Sequence, residues 1–448
     1  MLIGDDQSVL CGSDGKTVRA NRPGKFFPVP SDRGCESVSM RGVGDHLTVG
    51  ERVAIYRKRR GLTQRELGEL VGRTDEWVRK VESGRHELDR VSVLREIGTV
   101  LGVSLADLLG AQILLQWREN EQHASVPQLR AALTDYRQFL PVSPVAAATF
   151  VTDLDQIAQR LTWVWEDYQA SRYNRVVLSL PSLVSDTVTA ARHLSGDDQR
   201  RALRQAASVH QLVGVFVPKL GENDLASLAA TKGLEFAQQS GDTATVAALY
   251  RIAGYTLASL GEHDQAVALV ESAIDVLAPQ LGGSGATGLD LSVWGMLHLV
   301  AGRAAAQADN RGTASQHLLK ARKIAERLGG DANHGYTGFG PTNVVMHEVV
   351  VYNELGDLVR AAEVGPKLDT QTMPTERRGR HAMESARALT GIGRGPEAVR
   401  LLLAAEQYAP EQILHHTLAR NVVRSTLRGR SPDAATLALA DRMGLRDL

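Results

Sequence analysis

The chain has 448 residues, a length that predicts two or three domains, and its 51 Lys and Arg balance 51 Asp and Glu. Zero net charge excludes a wholesale polycation that coats nucleic acid, so any contact with DNA must come from a local basic patch. Aromatics are only 5% of the chain, so Ala and Leu carry much of the packing, and the two cysteines, Cys11 and Cys35, exclude a disulfide scaffold and a cysteine zinc site.

Residues 1–45 hold Pro23, Pro28, Pro30 and seven glycines without an amphipathic period, and are expected to form a disordered arm. They contain Asp5, Asp6 and Asp14 and no apolar h-region, so no secretory signal is expected; Met40 stands just before the first helical pattern as an alternative natural start. No apolar run approaches the ~18–20 residues that span a bilayer. The expected compartment is the cytoplasm, with no membrane partner.

From Thr48 the helical period is nearly continuous. Five short helices are predicted over 49–60, 64–71, 75–82, 91–101 and 105–109, within a domain at 46–110. Gly61 is a C′ stop, Thr63 with Glu66 forms a capping box, Ser104 with Asp107 a similar cap, and Thr74 an N-cap. The basic cluster Arg57-Lys58-Arg59-Arg60 is expected to be a solvated helix end. Residues 111–144 read as a polar connector. Over 145–448 helix pairs repeat, with breaks near Arg172, Gly221, Gly261, Arg311, Gly356, Arg394 and Arg430. Val246, Tyr250, Ala253, Leu257 and Leu260 are expected to share one buried helix face; so are Ala266, Val270, Ala273 and Leu277 in the next helix, and Ala314, Leu318, Ala321, Ala325 and Leu328 further on, where Gly329 stops the helix. Each pair must stack on its neighbours to bury its stripe.

The run V-G-E-R-V-A-I-Y-R-K-R-R-G-L-T-Q-R-E-L-G-E-L-V-G-R-T-D-E-W-V-R-K-V-E-S-G-R resembles the helix-turn-helix domain of the phage-repressor (XRE/Cro) family over 49–109. Three later stretches resemble the tetratricopeptide-like half of actinobacterial transcriptional regulators: F-G-P-T-N-V-V-M-H-E-V-V-V-Y-N-E-L-G-D (339–357), T-E-R-R-G-R-H-A-M-E-S-A-R-A-L (375–389) and A-A-E-Q-Y-A-P-E-Q-I-L-H-H (404–416). The expected fold is therefore all-α: a five-helix phage-repressor-like domain followed by an α-solenoid of tetratricopeptide-like helix pairs.

In such a domain the second helix of the motif lies in the major groove with its N-terminal residues toward base edges. Here that helix opens at Thr74. Val78 and Val81 face the core, and Asp75, Glu76, Trp77, Arg79 and Lys80 are the outward candidates. The resemblance implies that Gln64 touches a phosphate, where the helix dipole and free N–H groups favour an anion. Arg73, Arg79 and Arg85 are further phosphate candidates, because guanidinium forks match phosphate oxygens. Asp75 and Glu76 either accept from cytosine N4 or merely offset the helix dipole. Trp77 either stacks on the DNA or packs. Residues 46–110 carry 12 Lys and Arg against 10 Asp and Glu. So small an excess predicts weak non-specific binding, and hence a homodimer on half-sites about one helical turn apart.

The Gly-rich loop 329–343 exceeds the usual 2–8 residues of an inter-helix connection. It is expected to act either as a structural plug or as the lip of a ligand site using Tyr336, Phe339, Asn343 and His347. Trp163, Trp165, Tyr168 and Tyr173 read as core anchors. Gly283–Gly288 matches G-x-G-x-x-G but follows a helix and Pro279 rather than a strand, which argues against a dinucleotide fingerprint. Gly15-Lys16-Thr17 lacks the upstream Gly of a P-loop, there is no G-x-S-x-G or H-E-x-x-H, and adjacent His415 and His416 point to different faces. No catalytic residue, metal or cofactor is expected. The function expected is a sequence-specific regulator that binds double-stranded DNA, its repeats serving dimerisation or a small-molecule or peptide effector. The alternative is a peptide- or protein-binding scaffold whose N-terminal domain makes protein contacts.

Overall fold

Thr48 and Thr63 open the first two helices in the same way. Each hydroxyl accepts from the backbone N–H three residues on, and each N3 glutamate, Glu51 or Glu66, reaches back to the cap N–H at 2.6 and 2.7 Å. The computed structural model describes residues 48–60, 62–86, 88, 91–101, 108, 125–136, 140, 152–428 and 432–445, all within the unit Val43–Leu448. The expected arm at 1–45, the stop at Gly61, the cap at Ser104 and the fifth helix at 105–109, Leu108 aside, lie outside the described residues, as does most of the connector.

The first four helices are α1 (Val49–Arg59), α2 (Gln64–Leu70), α3 (Asp75–Glu82) and α4 (Val91–Leu101). They close on one small core of Val53, Leu67, Val71, Val78, Ile97, Leu101 and Leu108. α5 (Ser125–Leu133) falls within the expected connector, yet its Leu129 and Leu133 are fully buried in the core of the helices that follow.

Those are α6 (Leu154–Gln169), α7 (Tyr173–His193), α8 (Gly196–Phe216), α9 (Asn223–Ser240), α10 (Thr243–Ser259), α11 (His263–Leu281) and α12 (Gly288–Gln307). Then come α13 (Arg311–Leu328), α14 (Pro341–Glu354), α15 (Leu358–Val364), α16 (Thr375–Gly391), α17 (Gly395–Glu406), α18 (Pro410–His415), α19 (Thr417–Leu427) and α20 (Ala434–Arg442). Among the described residues there is no strand, only an isolated bridge between Ala332 and Phe339. No helix among them is long and apolar enough to cross a membrane.

The helices α6, α8, α10, α12, α14, α16 and α19 each pack on the next of that series and form an inner row; α7, α9, α11, α13, α15, α17 and α20 lie outside it. The fold is thus all-helical with a repeat-like array, as expected. The row also closes on itself. α16 touches α6, Ser171 Oγ donates to Gln412 Oε1 at 3.1 Å, Glu411 accepts from Asn174 N–H at 3.1 Å, and Lys219 Nζ lies 2.7 Å from Glu376 Oε1. A periodic sequence predicts stacking, but not that the two ends of the stack meet.

The expected stripes hold in most positions on α11 and α13, where Ala266, Val270 and Ala273, and Ala314, Leu318, Ala321 and Ala325, are buried, while Leu277 and Leu328 near the helix ends are only half-buried. Gly261 (φ 81°) and Gly329 (φ 88°) end helices in the left-handed conformation expected of a stop glycine. On α10 the expected face is displaced. Ala247, Ala248, Arg251, Ile252 and Gly254 are buried, whereas Val246, Tyr250, Ala253 and Leu257 are half-buried and Leu260 is exposed. α10 packs on α8, α9, α11 and α12, and its less covered face carries Val246, Tyr250, Ala253 and Leu257, so the apolar period marks the outer side of this helix as well. Trp165, Tyr168 and Tyr173 are buried anchors, but Trp163 stands 52% exposed on the opposite side of α6.

Within the loop before α14, Phe339 is fully buried with its ring over Gly295 of α12. A Cβ built on Gly295 would stand 2.0 Å from Phe339 Cζ. Gly295→Ala is therefore expected to destabilise the protein by about 1–3 kcal/mol through overpacking. This outweighs the gain of about 1 kcal/mol that alanine gives a helix interior over glycine. Thermal unfolding measures the sign, and a rise in Tm would show that the ring has room to move.

Candidate functional site

The turn between α2 and α3 is built by two glycines. Gly72 sits at φ 61°, which an L side chain rarely adopts. A Cβ on Gly68 would stand 2.8 Å from Arg73 O and 3.0 Å from Thr74 C, so only glycine lets α3 begin so close to α2. α3 then opens at Thr74, whose Oγ1 accepts from Trp77 N–H at 3.2 Å. Val78 and Val81 are turned into the core and fix which face points out.

One carboxylate ties three helices together. Glu82, at the end of α3, accepts from Arg57 Nε (2.5 Å) and Nη2 (3.0 Å) on α1 and from Gln64 Nε2 (2.8 Å) on α2. Arg57 also donates to Leu62 O at 2.7 Å. The hydrogen bond to Glu82, against some loss to burial, holds the Arg57 guanidinium above its ordinary range. The expectation that Arg57 belongs to a solvated basic end is corrected. Its partner lies 25 residues away, and the pair is buried.

Residues 48–109 match the family described as Helix-turn-helix domain. Comparison with curated proteins and with solved structures gave no match. The helix-turn-helix match supports a DNA-binding regulator.

Within this helix-turn-helix domain, Thr74, Asp75, Glu76, Arg79 and Lys80 are exposed on α3, and Arg73 and Arg85 are exposed just before and after it. Trp77 is half-buried. The Arg73 guanidinium lies 5.6 Å from its ring centroid, and the His86 ring meets it edge-on at 5.8 Å. The two acids of the first turn each have a cation one turn on: Glu76 lies 3.1 Å from Lys80, and Asp75 4.0 Å from Arg79. Exposed pairs of this kind are weak, of order 0.3–0.5 kcal/mol, so both cations can turn to a stronger anion. Gln64 is half-buried and already gives one amide N–H to Glu82, and the α2 N-terminus beside it holds the Glu66 carboxylate. Of the candidates, Gln64 and Trp77 are thus the two whose side chains are chiefly engaged inside the domain.

The four loop residues expected at a ligand lip divide in two. Tyr336 stacks on Trp165 with centroids 4.7 Å apart and planes at 3°, and Phe339 is buried over Gly295; both belong to the core, which corrects their assignment to a ligand. The loop is clipped to α6 by paired Gln169–Asn333 amides at 2.8 and 2.9 Å. Asn343 and His347 do line a cavity. Asn343 Nδ2 donates to Gly338 O at 2.7 Å while its Oδ1 is buried without a hydrogen bond. His347 Nε2 lies 3.3 Å from Tyr255 Oη. Burial, with Arg377 nearby, pushes the His347 imidazole down to about 3, so it is neutral at physiological pH.

Proposed function

We propose that this chain is a sequence-specific DNA-binding transcriptional regulator of the phage-repressor type whose tetratricopeptide-like repeats serve dimerisation and effector binding. The helix-turn-helix match at 48–109 carries the reading. It is supported by α3, which the Gly68–Gly72 turn and the buried Val78 and Val81 present with Thr74, Asp75, Glu76, Arg79 and Lys80 outward. In this reading α3 lies in the major groove, Arg79, Arg73 and Arg85 fall on phosphates, and Asp75 or Glu76 accepts from a base-edge amine. Two copies then set two half-sites about one helical turn apart. A partner that prefers one arrangement of the repeats shifts the spacing of the two heads, which couples its binding to that of the operator.

Reversing charge at Arg79 and Arg85 together tests the reading. Arg79→Glu/Arg85→Glu is expected to weaken duplex binding at least tenfold. It should also make the slope of log K against log salt less negative by about two, one for each phosphate that an arginine no longer neutralises. The self-paired acids and bases on α3 favour one rival, a scaffold in which this face meets a protein. Under the rival the double variant leaves duplex affinity and its salt slope as they were.

A further inference from the structure

The inner row lines a cavity of about 360 Å³ that is partly open to solvent, a size that holds a small metabolite. Five cationic side chains line it, Lys219, Arg251, Arg303, Arg377 and Arg380, against two carboxylates, Glu376 and Glu384. Both carboxylates are taken. Glu376 is 2.7 Å from Lys219 Nζ, and Glu384 receives Arg380 Nη2 at 2.7 Å and Nε at 3.1 Å. Neither Arg251 nor Arg303 forms an ion pair with a described carboxylate, and Arg377 only shares Glu376 with Lys219. Arg251 is 3% exposed, hydrogen bonds to none of the described residues, and has its Nε sealed from solvent. Arg303 Nε is likewise buried without a hydrogen-bond partner, its guanidinium 5.7 Å from the Tyr255 ring centroid. Arg377 is drawn to Glu376 and Tyr255 and lies 3.4 Å from the Thr337 carbonyl.

A guanidinium carries five donors and keeps its charge, and proteins bury it almost only against an anion. Here the donors converge from α10, α12 and α16 on one space, where two carboxylates, each already hydrogen-bonded to a cation, face five cations. Burial, reinforced by Arg377 against the pull of Tyr255, draws Arg251 down to about 10, still charged at neutral pH.

We infer that this cavity is the receptor site for a small, multiply anionic metabolite, a carboxylate or a phosphate ester, whose acidic group is gripped by Arg251, Arg303 and Arg377. The inference rests on the regulator reading only for what ligand binding controls; the binding itself stands apart from DNA.

The test uses the full chain, with calorimetric titration and thermal unfolding in citrate, inorganic phosphate and adenosine monophosphate, at an ionic strength fixed with chloride. At least one anion is expected to bind saturably with one site per chain and to raise Tm. Citrate alone marks a carboxylate site; phosphate and the nucleotide together mark a phosphate site. Arg251→Met is expected to lose at least tenfold in affinity while its unliganded Tm equals or exceeds the parent's, because it removes an uncompensated buried cation. Arg377→Gln, which keeps polar donors, is expected to lose affinity with little change in Tm. Saturation by none of the three anions, equal affinity in Arg251→Met, or a steep fall in that variant's unliganded Tm overturns the inference. Titration without duplex separates it from the DNA reading, since a protein that finds no operator still binds the anion.

Discussion

Glu82→Ala is expected to destabilise the helix-turn-helix domain by about 3–5 kcal/mol, the usual effect of removing one partner from a buried ion pair. The substitution strands Arg57 with its charge buried and releases Gln64 from its hydrogen bond. Small domains have only about 5–15 kcal/mol of stability in total, so α1–α4 should open at 37 °C or close to it while the repeats stay folded. DNA binding then fails even though Glu82 is not among the outward residues of α3. Amide hydrogen exchange reads this directly: protection over 49–82 collapses and protection over 154–427 is kept. Glu82→Gln keeps one acceptor oxygen but loses the charge and the second acceptor, and should fall between the parent and alanine. The paired change Arg57→Met/Glu82→Leu removes both charges and should recover much of the protection. Unchanged protection in Glu82→Ala would show that the pair holds nothing together.

The second large effect is acid instability. Burial pushes His210 down to about 4 and His298 to about 3, where His317 adds to the effect, and burial with Arg377 takes His347 to about 3. His416 is driven well below its ordinary value by burial, with Arg380 and Lys219 adding to it. Each of these bases is neutral in the folded chain at pH values where the unfolded chain, near 6.5, takes up a proton. Above about pH 6.5 the two states bind alike and the histidines give no slope. Below it the unfolded state binds more protons, so stability falls with pH until the folded values are reached. Each such histidine costs up to about 1.4 kcal/mol per pH unit in that window, and the four together approach about 5 kcal/mol per unit. Glu376 acts in the same direction lower down. Burial opposes its charge, but Lys219, Arg377 and Arg380 outweigh burial and hold it to about 2, so its contribution is lost as pH falls below the ordinary glutamate range. Unfolding followed by circular dichroism should give a Tm that is flat from pH 8 to 7 and drops steeply from pH 6.5 to 5. A flat Tm down to pH 5 would mean that these imidazoles are protonated inside the fold.

What the sequence made legible was local. Capping boxes, stop glycines and the turn that presents α3 depend on residues three to five apart, and Thr63, Glu66, Thr74 and Gly329 lie where periodicity and side-chain chemistry place them. The stripes on α11 and α13 were readable because each helix buries a single face. α10 defeated the same reasoning because its outer face is apolar too, so the residues at helical spacing there do not mark the core. The interactions that escaped are long-range. Arg57 reads as one of four basic residues at a helix end until Glu82 folds onto it, and Arg251 and Arg377 read as ordinary charges on two separate helices. Nothing in the spacing of either reveals that the row closes and turns both inward. The ligand-lip residues split for the same reason: Tyr336 and Phe339 belong to the loop that plugs the array, whereas Asn343 and His347 sit on the inner face of α14.

Whether the exposed face of α3 reads a base sequence is measured by recovery of genomic fragments on the purified full chain at about 150 mM salt. The parent protein should enrich fragments sharing a common site of two similar half-sites spaced by about one helical turn, and Arg79→Glu/Arg85→Glu should enrich none. Fragments recovered in proportion to their abundance by the folded parent, or an identical set recovered by the double variant, would contradict base readout by α3.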